Sequence, residues 1–350
     1  MLVTGRHKHW TYLGLFVLCA VAGVLAAGVG QMTLDNRRCR WSGYSNDYFL
    51  AYCSSKTYGD YEHGALYYGV EPVASARLRN AQVIFLGNSR TQAAFSTKAV
   101  RAYFSSRNIR FFIMGFGFGE WSDFSLATLT RSGASPKVLV INADPFFSDK
   151  LSRPAREALE GRPAFLWRLA LKMLFQRVHR TVCPVARQAC PGSEASIFRS
   201  ARDGQWYWVG PMVRDLAVPL DRSTQRPIAP EDLSQAKDLG EKFLDAVGLD
   251  RHCVVLTGIP NSELDAPEIA EALAAALKTS SISPPMDGLS TIEGSHLSLA
   301  SAERWSAEFV AALTPILRDC ISPAVADRER PFGAVIPDAV QRKRSAAMHR

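Results

Sequence analysis

The chain has 350 residues, a net charge of +8 and a hydrophobic fraction of 47%. This composition excludes a disordered chain and is typical of a globular protein with one large or two small domains. Much of the excess positive charge lies near the ends, where it suits an anionic lipid or polysaccharide surface or keeps a terminal tail soluble.

The amino-terminal part of the chain contains an uncharged run. Residues 12–30 hold no charged side chain and are rich in Leu, Val, Ala and Gly, which is about the length that a helix needs to cross a bilayer. Arg6 and Lys8 precede the run and favour an inside amino terminus. The sequence therefore predicts a cytoplasmic tail at 1–11 and a transmembrane anchor at 12–30, with a cleaved signal peptide as the alternative.

Six cysteines lie outside this run, and Cys19 lies within it. An even number outside a membrane anchor fits an oxidising compartment, and all fifteen pairings are open. Closeness in the sequence favours the set Cys39–Cys53, Cys183–Cys190 and Cys253–Cys320, with six reduced thiols as the alternative. No Cys-x-x-Cys motif occurs. We expect no metal and no cofactor, and no nucleic-acid partner because the chain is predicted to be exported.

From residue 81 onward, apolar strands alternate with amphipathic helices. Strands are predicted at 82–87, 110–114, 137–142 and 252–257, and helices at 92–106, 121–132, 231–247, 265–279 and 298–317. This alternation is typical of βαβ units and predicts an α/β domain with a parallel sheet over 81–320.

Three further segments do not follow this alternation. A stretch at about 145–230, with a short helix near 164–179, is predicted to be an insertion beside the site. Residues 31–80 are rich in Tyr, Gly and Ser and form either a stalk or a flap packed on the domain. Residues 321–350 are expected to be a mobile basic tail.

Ser89 and His296 are the candidate catalytic pair. The apolar run Val-Ile-Phe-Leu stops at the turn Gly87-Asn88-Ser89, which places Ser89 at the carboxyl end of a buried strand, where open α/β sheets bind ligands. His296 ends the element Glu293-Gly-Ser-His296 and is the candidate base, with Glu293 as the orienting carboxylate and Asp287 as its rival. The alternatives are a helix-capping serine, a surface histidine and an exposed glutamate.

An acyl-transfer site also needs donors for the oxyanion. The backbone amides of Ser89 and Gly117 and the side-chain amide of Asn142 are the candidates, because Gly117 follows the second strand and Asn142 ends the third. Gly115 and Gly119 are alternatives to Gly117, and a glycine-rich turn is the structural interpretation of this stretch.

Substrate contacts are predicted from residues near these strand ends. The candidates are Arg90, Trp121, Trp206 and Trp208. Trp121, Trp206, Tyr207 and Trp208 offer flat faces on which sugar rings stack, and packing of the insertion onto the core is the alternative for all four aromatic residues.

Four blocks taken together resemble the SGNH, or GDSL-type, hydrolase superfamily. They are Gly87-Asn88-Ser89-Arg90, Gly117, Ile-Asn142-Ala-Asp144 and Glu293-Gly-Ser-His296. Asn88 stands where the superfamily has an acidic residue, the glycine before Asn142 is missing, and Glu293 stands where the superfamily has aspartate.

The resemblance implies a three-layer α/β/α sandwich with a parallel, flavodoxin-like sheet. Anchored, single-pass members are similar to proteins that move or remove acyl groups on bacterial surface polysaccharides. The resemblance therefore implies an esterase or O-acyltransferase at the bacterial inner membrane, with a periplasmic catalytic domain. Its substrate would be a cell-envelope glycan or small acyl ester, and its partner a membrane acyl-donor protein. The alternative is a non-catalytic envelope protein that keeps the fold for binding or assembly.

Overall fold

The computed structural model of the protein describes residues 12–20, 22–23, 39, 47–53, 61–117, 120–186, 195–209 and 217–321. Within these ranges the chain is a mixed α/β protein with a five-stranded parallel sheet. Strands are numbered in chain order over the whole chain, and the five of this sheet are β2 (Val83–Gly87), β3 (Phe111–Gly115), β4 (Val138–Asn142), β8 (Val254–Thr257) and β9 (Ser280–Ser281). The first four lie where the sequence predicts them.

The strand order of this sheet creates a point of reversal. The order is β3-β2-β4-β8-β9, and all neighbouring strands pair in parallel. The chain passes from β2 to β3 on one side and then returns to β4 on the other. Because open α/β sheets bind ligands outside the carboxyl ends of the strands at such a reversal, the fold points to the ends of β2 and β4.

The folded domain has ten α-helices in its described residues, and those at 61–68, 72–79 and 153–160 were not predicted. The ten are α1 (Tyr61–Tyr68), α2 (Pro72–Arg79), α3 (Ser89–Phe95), α4 (Lys98–Ser106), α5 (Ser122–Ser132), α6 (Arg153–Glu160), α7 (Pro163–Val182), α8 (Pro230–Val247), α9 (Ala266–Leu277) and α10 (Leu299–Ile321).

The predicted helix 92–106 is in fact two helices. Thr97 is extended, with φ −123° and ψ 158°, and its hydroxyl accepts the N–H of Val100. A threonine in this conformation caps a new helix and cannot continue the previous one. The break ends α3 early and starts α4, so the short helix that begins with Ser89 is separate.

The central sheet has a hydrophobic core on each face. Ile84 and Leu86 belong to one core, and Val83 and Phe85 to the other. This alternation of fully buried residues is expected for a parallel strand that is covered on both faces. The first core includes residues of α1, α2, α5, α8 and α9, and the second includes residues of α3, α4 and α10.

A second sheet joins the amino-terminal segment to the insertion. Strands β1 (Tyr48–Cys53), β5 (Ser196–Ser200) and β6 (Trp206–Val209) pair antiparallel in the order β1-β5-β6. Phe49 and Leu50 are fully buried. The described part of 31–80 is therefore packed on the domain.

A third sheet carries the predicted base. Strands β7 (Ala217–Pro219), β10 (Ser290–Ile292) and β11 (His296–Leu297) pair antiparallel in the order β11-β10-β7. The insertion at 145–230 thus supplies strands to both small sheets, as well as α6 and α7.

Two of the predicted disulfides are present in the structure. Cys39 is bonded to Cys53, and Cys253 to Cys320. The predicted Cys183–Cys190 bond involves Cys190, which lies outside the described residues.

The predicted terminal segments lie largely outside the described residues. The tail at 1–11 is among them, as is all of 321–350 beyond the end of α10. Residues 12–20 and 22–23 are described, and all of them are helical and exposed. No helix in the described part of the chain combines the length and the apolar character that a bilayer span requires, so the anchor at 12–30 stays a prediction.

Candidate active site

The turn after β2 places Ser89 at the point of reversal. Gly87 has φ +146°, a conformation that glycine adopts far more readily than other residues. A Cβ at this position would lie 2.2 Å from Oγ1 of Thr91 and 3.1 Å from Cβ of Asn142. Asn88 then caps α3, its side chain accepting the N–H of Arg90 at 2.9 Å. Ser89 is half-buried and is the first residue of α3.

The hairpin of β10 and β11 brings His296 to the same point. Ile292 pairs with His296 across the hairpin, and the intervening Glu293 and Gly294 both have positive φ, 55° and 74°. Nε2 of His296 lies 2.8 Å from Oγ of Ser89, although the residues are 207 positions apart in the sequence. A hydroxyl and an imidazole at hydrogen-bond distance are the minimum that serine-based nucleophilic catalysis requires.

The carboxylates predicted to orient His296 lie elsewhere in the structure. Glu293 is exposed in the hairpin loop, and no hydrogen bond or ion pair joins it to His296 among the described residues. Asp287 is also exposed, and its backbone carbonyl accepts a hydrogen bond from Arg304 at 2.7 Å. The third member of a triad therefore stays a prediction.

Arg90 connects the serine turn to the histidine hairpin. The residue is 8% exposed, and its guanidinium contacts Asp144 at 2.7 Å and Glu263 at 2.6 Å. It also donates to the backbone oxygen and to Oγ of Ser295, both at 3.3 Å. Ser295 immediately precedes His296. Arg90, predicted to bind substrate, thus has its guanidinium engaged by the protein itself and ties the hairpin to the end of the sheet.

Asp144 lies beneath this cation. It is 1% exposed, and Asn261 donates to the same oxygen, Oδ2, at 2.9 Å. Oδ1 is buried and has no hydrogen-bond partner among the described residues. Burial raises the pKa of Asp144 above its ordinary 3.8, outweighing the Arg90 guanidinium, which lowers it.

Asn142, the predicted side-chain donor to the oxyanion, is buried at the end of β4. It is 1% exposed and lies beside Gly87. Its Nδ2 makes one long hydrogen bond, 3.4 Å, to the carbonyl of Asp144. A bond of that length is weak. The Asn142 amide could therefore donate to an oxyanion at the cost of only this weak hydrogen bond.

Gly117 has its amide bonded to a buried carboxylate. Its N–H donates to Oε1 of Glu62 at 2.8 Å. Oε2 of Glu62 accepts from Arg199 at 2.8 Å, and the two side chains are at most 1% exposed. Arg199 also donates to the carbonyls of Ile113, at 3.0 Å, and Gly115. This buried ion pair fixes the chain that follows β3. An oxyanion role for Gly117 therefore requires the hydrogen bond between its N–H and Glu62 to break.

Gly115 and Gly119 were the alternatives to Gly117. Gly115 ends β3, and a Cβ there would lie 2.7 Å from the backbone oxygen of Asn88. The position therefore needs glycine because β3 and the serine turn approach each other closely. Gly119 lies outside the described residues.

The predicted sugar-stacking residues differ in exposure. Trp206 is 7% exposed and donates from Nε1 to Glu62 at 3.3 Å. Its ring meets that of Trp208 edge to face at 5.8 Å. Trp121 is half-buried where α5 begins, whereas Tyr207 is 47% exposed. The structure favours the packing alternative for Trp206 and leaves part of Tyr207 open to solvent.

Several residues that hold this arrangement together were not predicted. Glu62, Arg199, Glu263 and Asn261 lie outside every predicted motif, and Ser295 lies within the histidine block but had no predicted role. Their roles depend on contacts between residues far apart in the sequence. The only local signal was the charge of Arg90 directly after the candidate nucleophile.

A cleft of about 500 Å³ lies beside the amino-terminal end of β3. Neither Ser89 nor His296 lines it, and its lining includes Arg77, Arg101, Arg110 and Arg202. Asp203 and Asp47 pair with Arg101 and Arg202. The cleft is separate from the candidate active site.

Comparison of the chain with protein families, with curated proteins and with solved structures finds no match. In the described part of the chain, no group of His, Cys, Asp and Glu is arranged to hold a metal ion. A functional proposal for the protein therefore rests on the geometry around Ser89 and His296.

Proposed function

We propose that the protein is a serine-dependent acyl-ester hydrolase or O-acyltransferase of the SGNH type. The observation that carries the proposal is the 2.8 Å contact between Oγ of Ser89 and Nε2 of His296. This contact lies at the reversal point of a parallel sheet with the order β3-β2-β4-β8-β9. That order and the two hydrophobic faces support a three-layer, flavodoxin-like α/β/α sandwich.

The reaction begins with transfer of the Ser89 proton to His296. For this step Nε2 is unprotonated and accepts, while the hydroxyl donates. Oγ forms a bond to the ester carbonyl carbon and the carbonyl oxygen becomes an oxyanion. When the oxyanion collapses, the ester C–O bond breaks and the alcohol leaves with the proton from His296. Water or a sugar hydroxyl then attacks the acyl-serine in the same manner.

The oxyanion is assigned to the Ser89 amide and the Asn142 side chain. Donors of this kind are worth roughly 3 kcal/mol each in the transition state. Gly117 contributes only if substrate binding breaks the hydrogen bond between its N–H and Glu62. Glu293 is assigned to orient His296, which requires its exposed side chain to turn toward the imidazole.

The location and substrate follow from the same resemblance. We assign residues 12–30 as a single membrane anchor and place the catalytic domain in the periplasm of a bacterial inner membrane. The two disulfides support an oxidising compartment. The substrate is a cell-envelope glycan or small acyl ester, and a membrane acyl donor is the expected partner of a transferase.

Hydrolysis of a small aryl acetate tests the proposal. Replacing Ser89 with Ala should lower turnover by a factor of roughly 10⁴ or more, while Ser105→Ala, on the exposed face of α4, should leave turnover unchanged. Thermal unfolding should be nearly the same for both variants. Equal turnover by Ser89→Ala and the parent protein would refute a Ser89 nucleophile.

The alternative is a non-catalytic binding or assembly protein. The observation that favours it is the Gly117 N–H, which is bonded to Glu62 and thus already occupied. A parent protein that folds but does not turn over any aryl acetate would favour this alternative.

A further inference from the structure

Helix α7 exposes a continuous apolar stripe. Its members are spaced so that they follow one face of the helix, and the large ones are between 39% and 55% exposed: Leu166, Trp167, Ala170, Leu174, Val178 and Val182. The stripe runs for about 24 Å along the helix. Large apolar side chains aligned in this way on a surface mark a contact with another body.

The opposite face of α7 is already used by the fold. Phe165, Leu169 and Phe175 are buried in the core. Gln176 makes two hydrogen bonds of 3.1 Å to the backbone of Leu50, one to its N–H and one to its carbonyl. The helix is therefore fixed in place and carries a second apolar face that its own domain leaves exposed.

The charge around the stripe is positive. From Arg153 to Val182 the chain holds seven Lys or Arg and two Glu, and α7 itself contains no acidic residue. Both glutamates are paired with arginines of this segment, Arg180 is paired with Glu71 from outside it, and Lys172 is buried. The segment still keeps a net positive charge, and Arg156 and Arg177 are exposed, Arg177 beside the stripe.

This positive charge distinguishes between two partners that could cover the stripe, a second copy of the chain and a lipid surface. Two copies joined through this face would bring the same positive charges together, which disfavours self-association. An anionic lipid surface satisfies both the charge and the apolar stripe.

We propose that α7 lies in the interface of an anionic membrane. The stripe is buried at the boundary of the acyl chains, Trp167 sits at the depth of the headgroups, and Arg177 faces the lipid phosphates. The helix lies along the surface and does not span it. This inference is independent of the acyl-transfer proposal, because it uses none of the site residues.

A fluorophore on the stripe tests the inference in the full chain. With Cys19 replaced by Ser, Leu174→Cys is labelled with an environment-sensitive nitrobenzoxadiazole group. A matched label at Lys237→Cys reports an exposed position on α8. In vesicles of phosphatidylglycerol and phosphatidylcholine, we expect the emission at 174 to rise and shift to shorter wavelength, and the emission at 237 to stay that of a water-exposed label.

The two labels separate this contact from attachment through any other segment. In vesicles of phosphatidylcholine alone, the shift at 174 should be smaller, and Arg177→Glu should reduce it in anionic vesicles. A label at 174 that stays in water, or that shifts together with the label at 237, would overturn the inference. So would disulfide cross-linking of two copies of the unlabelled Leu174→Cys variant, since it would show that a second copy covers the stripe.

Discussion

Among single residues, Gly87 fixes the turn that presents Ser89. Its φ of +146° and the 2.2 Å approach of Thr91 Oγ1 leave no room for a side chain. Gly133 also has a positive φ, +67°, but nothing lies within 4 Å of a Cβ there. A side chain at Gly87 would therefore meet both steric overlap and a backbone conformation that is nearly confined to glycine, whereas one at Gly133 would meet only the modest strain of the left-handed region.

We predict that Gly87→Ala destabilises the protein by about 2 kcal/mol more than Gly133→Ala. Urea unfolding of the two variants measures the difference. Equal losses would mean that the turn rearranges without cost and does not constrain Ser89.

Arg90 is predicted to act as a positioning residue. Arg90→Gln should lower kcat for an aryl acetate by about tenfold or more, because Ser295 and the adjacent His296 lose their tie to the end of the sheet. KM should change little, since the guanidinium is engaged by the protein and not by substrate. Rates are compared per folded molecule.

The control for this variant is Arg251→Gln. Arg251 also pairs with two carboxylates, Glu241 and Asp245, but it lies before β8 at the other edge of the sheet. We expect kcat to be unchanged in the control. If Arg90→Gln instead raises KM and leaves kcat unchanged, Arg90 binds substrate, as the sequence predicts.

Asp144 gives the stability a defined pH dependence. Because burial holds its pKa above 3.8 in the folded protein, the folded state takes up this proton at a higher pH than the unfolded chain does. Between the ordinary and the raised pKa the folded state binds more protons, so the contribution of Asp144 to stability falls as the pH rises.

Urea unfolding of the parent and of Asp144→Asn at several pH values measures this contribution. The free energy of unfolding of the parent minus that of the variant should decrease as the pH rises from about 4 toward neutral. A difference that increases with pH would show that Arg90 lowers the pKa more than burial raises it.

Among the secondary-structure elements, the four main strands could be predicted because each is a short apolar run with turn residues at its end. The break between α3 and α4 was missed because Thr97 occurs within an otherwise helical pattern. The pairing of β1 with β5 was also missed. Its antiparallel partners, such as Leu50 and Phe198, lie in distant parts of the sequence and leave no local pattern in either segment.

The disulfide between Cys253 and Cys320 links the start of β8 to α10, with a sequence separation of 67. Replacing both cysteines with Ser should cost about 4 kcal/mol of stability through the entropy of the unfolded chain. Cys19→Ser, at an exposed free cysteine, is the control and should cost nothing measurable in urea unfolding.

The hydrolysis rate per folded molecule should survive loss of this bond. Cys253 lies before β8, at the edge of the sheet opposite to Ser89. A loss of rate in the folded double variant, or unchanged stability, would contradict the view that this disulfide stabilises the fold without shaping the active site.

In the molecule as a whole, the sheet order explains why the candidate pair could be predicted. Ser89 follows a strand that ends at the carboxyl edge, and the hairpin of His296 lies against that same edge. The supporting contacts could not be predicted in the same way. Glu62 and Arg199 meet only because the amino-terminal segment and the insertion fold onto one edge of the sheet.

Whether Ser89 is a nucleophile activated by His296 can be decided by covalent labelling with a fluorophosphonate, followed by mass spectrometry of the peptides. We predict a single labelled serine, Ser89, in the parent protein, with labelling abolished in Ser89→Ala and strongly slowed in His296→Gln. Labelling of another serine, or no labelling of the folded parent protein, would contradict the proposed mechanism.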